Sequence, residues 1–197
     1  MMDKIFENVF IADPRKKYQI PLVIEELSVL PPALLKYVIW HELKIYLPVA
    51  RDRAFFVKNR LEQAVLSDEI STLKTSHYFE PNKIVLIEEE NSFTKNGGPD
   101  SVIIHEFFHE IDFLFGRLSD KNIHYLHEEV PTLQTLDWKN CVGLKEKFAI
   151  AGEAFTHPGY FWSESPLTHN KLDLLKKAPE VYKYFEQFFA QWKKSDA

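Results

Sequence analysis

The stretch VIIHEFFHEIDFLFG, Val102 to Gly116, sets two histidines four apart with a glutamate between them inside a run of large apolar residues. Asp100 or Ser101 can cap a helix that opens there, and Gly116 can end it. At about 100° per residue, with His105 at zero, Asp112 falls near -20°, His109 near 40°, Glu106 near 100° and Glu110 near 140°. The five polar side chains share one arc, while Phe107, Phe108, Ile111, Leu114 and Phe115 cover the rest. Such a helix is buried on most sides and turns one polar sector toward a partner that must repay the desolvation of its charges.

A divalent metal is an economical partner. Imidazoles at i and i+4 lie one turn apart on the same face and can both reach a zinc ion at about 2.0–2.1 Å. Glu106 sits farther round the helix, where it can take a proton from water beside the metal. The spacing therefore marks His105 and His109 as ligands and Glu106 as general base. Asp112, beside the histidines on the wheel, is expected to orient an imidazole. Glu110, at the edge of the arc, is expected at the surface or in a salt bridge. His124 and His127 lie in a polar stretch, and His41 has no second histidine four residues on, so none of the three is assigned a metal.

Zinc needs a third protein ligand. A metzincin would carry glycine and histidine where this chain has Asp112 and Phe115, and Cys141 lies downstream of the helix rather than upstream as in peptide deformylase. The remaining carboxylates are Glu128, Glu129, Glu146, Glu153 and Glu164. Packing favours Glu153. In KFAIAGEAF, Ala149, Ala151, Gly152 and Ala154 leave room for close approach to the histidine helix. Glycine costs about 1 kcal/mol relative to alanine inside a helix, so Gly152 should have a packing reason.

The rest of the chain supplies a frame for this helix. Its 197 residues, 45% hydrophobic and 27% charged, suit one domain with a substantial core. A net charge of -5, with the cations dispersed among acids, offers no phosphate-binding patch and argues against nucleic acid. One cysteine excludes an internal disulfide framework. No apolar run is long enough to span a membrane, and the start MMDKIFENVF does not read as an export signal. A cytoplasmic location is expected, or a secreted one if the chain is a mature fragment. Helices are expected over residues 34–43, much of 50–70, 143–156 and 180–193, with strands from Lys44 and over Lys83–Glu89. The fold class is α+β, with helices dominating the second half. No serine-hydrolase pattern surrounds Ser163 or Ser165.

HEFFHEID, KFAIAGEAF and LLKKAPEVYKYFEQF together resemble the zinc peptidase domain of the anthrax lethal factor family, which includes the Pro-Pro endopeptidases. The resemblance runs over roughly residues 34–193 of a single 1–197 domain and is specific at those three blocks. It implies a zincin-like fold with a small mixed sheet, and a gluzincin site holding one Zn2+ per chain. His105, His109 and Glu153 would be its ligands, Glu106 the base and water the fourth ligand. It further implies that KIVLIEE forms a sheet edge to which an extended peptide could add, making peptides or proteins the substrates. One position departs from the pattern. Where the family carries a tyrosine, seven residues before the glutamate ligand, this chain has Glu146, and an ionised glutamate cannot donate a hydrogen bond to an oxyanion. Tyr160, His157 and Tyr125 are the candidate replacements, with Tyr160 preferred. The departure also keeps open a catalytically weak or inactive module that binds a protein partner.

Overall fold

The computed structural model describes residues 5–49, 53–61, 77–79, 83–85, 101–121, 144–156 and 170–193. In chain order these form β1 (Phe10–Ala12), a 3-10 helix (Pro14–Gln19), α1 (Ile20–Leu27), α2 (Pro32–Trp40), β2 (Lys44–Leu47), α3 (Arg53–Lys58), β3 (His77–Phe79) and β4 (Lys83–Val85). They continue with α4 (Val102–Leu114), α5 (Leu118–Lys121), α6 (Leu144–Thr156), α7 (Lys171–Lys177) and α8 (Pro179–Lys193).

The expected α+β class holds. The four strands form one sheet in the order β1-β2-β4-β3, with β1, β2 and β4 parallel and β3 antiparallel to β4. Ile45, Leu47 and Ile84 are buried in the main core, while Tyr46 and Val85 belong to a smaller cluster with Leu61. Alternating side chains on β2 thus reach both clusters, as the two-residue period of a strand requires.

This topology corrects the expectation that KIVLIEE lies at the sheet edge. The three residues of it that are described, Lys83–Val85, pair with β2 on one side and β3 on the other. His77–Phe79 takes the outer position because it returns antiparallel along β4, and it also contacts α4.

The local chemistry of α2 is as expected, with the start shifted: Pro32 itself occupies the first turn, where its missing N–H is no loss. The chain leaves the helix at His41 and turns through Glu42 at φ 65° into β2. In α8, Val181, Phe185, Phe188 and Phe189 are buried and make one apolar face. That face meets α4 and α6 in an aromatic core. Phe108 has ring centroids of Phe148 at 6.2 Å, Phe185 at 5.6 Å and Phe189 at 6.2 Å around it. No helix among the described residues is long and apolar enough to cross a membrane.

Candidate metal centre

Helix α4 begins where its cap chemistry predicts. Ser101 is the N-cap, its Oγ accepting from Ile104 N at 3.3 Å. The helix ends at a tight turn in which Gly116 adopts φ 72°, a left-handed conformation that glycine takes without strain. Ile103 through Asp112 are buried except for His105, which is part-buried. The wheel is therefore correct about a helix enclosed on most sides, but Glu110 is not at the surface: it is fully enclosed. The helix has no exposed side before Gly116, so the edge of its polar arc is covered along with the centre.

Helix α6 packs along α4, and Gly152 permits the approach. A Cβ at Gly152 would lie 2.5 Å from Phe108 Cε1 and Cγ, far inside van der Waals contact. The packing reason expected for this glycine is thus a phenylalanine ring of the histidine helix. Glu146 and Glu153, seven residues apart, differ by about 20° around α6 and face the same neighbour.

Between these helices the polar groups converge. His105 Nε2 lies 3.2 Å from Glu146 Oε2, and His109 Nε2 lies 3.3 Å from Glu146 Oε1. The other ring nitrogen of His105, Nδ1, is 3.5 Å from Glu153 Oε2. Burial pushes the His105 imidazole down, but the carboxylates of Glu146 and Glu153 outweigh it and raise the group to about 10. Hydrogen bonds from His105 and His109 hold Glu146 well below the usual carboxylate range.

Ligand atoms of His105, His109 and Glu146 all lie within 4.8 Å of one another and could hold a metal ion. The donor set and spacing fit a divalent metal. Bonds of about 2.0 Å to a tetrahedral ion leave donors about 3.3 Å apart, and each histidine Nε2 lies near that distance from one Glu146 oxygen, His105 from Oε2 and His109 from Oε1. His105 Nδ1 would keep its proton and donate to Glu153, as a ligating imidazole commonly donates its second N–H to a carboxylate.

The expected residues divide accordingly. His105 and His109 come together at Glu146, Glu153 reaches His105, and Glu106 is buried on the same helix as the histidines. Asp112 points elsewhere: its two carboxylate oxygens accept from Ser119 N at 2.6 Å and Ser119 Oγ at 2.9 Å. The chain's turn at Gly116 carries α5 back over the end of α4, and Asp112 ties its start rather than an imidazole. Glu146, read from sequence as the residue that replaces a tyrosine, faces both histidines. Its signal was the two-turn spacing to Glu153. Tyr160, His157, Tyr125, Glu128, Glu129 and Glu164 lie outside the described residues.

No family profile matches the chain, and no curated protein matches it. Among solved structures, the fold is similar to that of the Pro-Pro endopeptidase PPEP-2 from Paenibacillus alvei. The TM-score is 0.65 at 18% sequence identity, covering 94% of this chain and all of that one. The match establishes the likeness in fold across almost the whole chain.

Proposed function

We propose that this protein is a zinc metalloendopeptidase that hydrolyses extended peptides. The observation that carries the reading is the convergence of His105 Nε2, His109 Nε2 and the Glu146 carboxylate beside the helix that also bears Glu106. The fold likeness to a Pro-Pro endopeptidase supports a peptide substrate.

His105, His109 and Glu146 would hold the metal, and Glu153 would fix the His105 tautomer from the Nδ1 side. When bound, zinc supplies Lewis acidity, which polarises a carbonyl and makes water acidic near neutral pH. Glu106 takes the proton of the attacking water and passes it to the departing amine. Its burial beside the histidines keeps that exchange out of bulk solvent. A substrate strand adding to β3, which ends the sheet order and touches α4, would run past these residues.

A second ligand assignment has its own support. Glu153, the ligand that the family resemblance implies, has a side chain only 14% exposed against 45% for Glu146. Zinc titrations of Glu146→Gln and Glu153→Gln separate the two, because losing a ligand weakens binding far more than losing an orienting partner.

The function itself is tested by metal analysis and a peptide-library digest. One equivalent of zinc and cleavage that disappears in Glu106→Gln are the expected results. Bound zinc with no cleavage in either protein would replace the enzyme with a binding module, and absence of zinc would remove the metal site as well.

A further inference from the structure

A carboxylate outside the histidine and α6 cluster is tied to the start of the metal helix. Glu26, on α1, accepts a hydrogen bond from Ser101 Oγ, a contact 75 residues apart in the chain. The same Ser101 Oγ accepts from Ile104 N at 3.3 Å, and the Ser101 carbonyl accepts from His105 N at 2.9 Å. With its hydroxyl proton committed to Glu26, Ser101 presents its oxygen lone pairs to the first turn of α4. Two hydrogen bonds therefore lead from Glu26 to the backbone of His105. Glu26 also stands on the side of Glu153: burial raises its carboxyl group, with the Ser101 bond opposing and the charge of Glu153 adding to the rise.

We propose that Glu26 is a positioning residue, which sets the first turn of α4 through Ser101 and so places the His105 imidazole between Glu146 and Glu153. α1 would then be part of the metal site's support rather than only a wall of the core. The effect on metal affinity rests on the ligand set proposed above, whereas the effect on the helix backbone does not.

The test combines two readouts on Glu26→Ala, Glu26→Gln and Ser101→Ala, with Glu25→Ala as the exposed neighbouring control. Glu26→Ala and Ser101→Ala should each weaken zinc binding about tenfold, the loss typical of partners that orient ligands. They should also speed amide hydrogen exchange at Ile104 and His105 by about fivefold, as expected for a damaged N-cap. Glu26→Gln, whose amide oxygen still accepts from Ser101, should restore both to near the parent values. If Glu26→Ala does not fold, Ser101→Ala and Glu26→Gln carry the same comparison. Exchange unchanged from the Glu25→Ala control, or a glutamine variant as impaired as the alanine one, would overturn the proposal. Faster exchange in Glu26→Ala and Ser101→Ala, when the parent protein itself binds no zinc, would uphold the positioning of the helix while refuting the metal-site reading.

Discussion

The two sides of the α4–α6 contact are built on opposite principles. On one side Phe108 fills the space left by Gly152 and is boxed in by Phe148, Phe185 and Phe189, so nothing there can be enlarged. On the other side two histidines meet two glutamates, and Glu146 is 45% exposed. Packing of the first kind fixes how near the helices come. Polar groups of the second kind use that separation to bring nitrogen and oxygen donors within reach of a common ion. The polar cluster is held on a close-packed support, as a site that depends on small errors in distance requires.

The contrast can be broken most severely on the polar side. Glu106→Gln should leave zinc content and folding intact while lowering peptide cleavage by about 10²- to 10⁴-fold, the usual contribution of a general base, measured as kcat/KM. Equal cleavage in parent and variant would take Glu106 out of the mechanism. On the aromatic side, Gly152→Ala must displace the Phe108 ring and should cost about 1–3 kcal/mol in denaturant unfolding, with weaker zinc binding as the helices part. An unchanged midpoint would mean that the ring moves aside freely and that Gly152 does not set the separation.

Asp112 sharpens the comparison because it is polar and buried yet belongs to the support. Asp112→Ala strands the buried Ser119 donors and should destabilise the fold by about 1–3 kcal/mol. Zinc affinity should stay within about twofold, well short of the roughly tenfold or greater loss expected for a partner that orients a ligand. A tenfold loss of zinc would return Asp112 to the histidines.

A further expected effect is in pH dependence. His105 is raised from 6.5 to about 10, so in chelator-treated protein its contribution to stability is full below about pH 6.5 and fades as pH climbs toward 10. Glu146 is lowered from 4.5, so its contribution is full above that value and fades on acidification. Their pairing should therefore support the fold most between about pH 4.5 and 6.5, and His105→Gln should flatten the thermal-unfolding profile above that window. Since zinc must displace a proton from His105, its binding should strengthen with pH between 6 and 8, by up to about tenfold per unit for one proton released.

How far this arrangement could be read in advance depended on its period. Val102–Leu114 and Leu144–Thr156 are each 13 residues, long enough for helical spacing, caps and a misplaced glycine to agree. Phe10–Ala12 and His77–Phe79 are three residues each, too short for alternation to rise above background, and the strand beside Lys83–Val85 was missed with them. The family resemblance made Lys83–Val85 an expected edge, and His77–Phe79 carried too short a pattern to correct it. The shared helix of the histidines and Glu106 was legible because their spacing lies within one 13-residue element. Asp112 shared their arc and was misassigned, since a wheel gives direction but not the returning α5 that captures it. Glu146 was legible in direction, two turns from Glu153, but comparison with a family tyrosine made it appear as a loss. Which carboxylate meets which nitrogen depends on the separation of two helices, a quantity set jointly by Gly152, Phe108 and the rest of the aromatic core.

Anomalous X-ray scattering at the zinc edge from crystals of the zinc-loaded protein tests the central claim most directly. The expected result is one strong peak within about 2.0–2.2 Å of His105 Nε2, His109 Nε2 and a Glu146 oxygen, with Glu153 on His105 Nδ1. A peak bonded to Glu153 in place of Glu146 would contradict the ligand set, and no peak at the two histidines would contradict the metal centre itself.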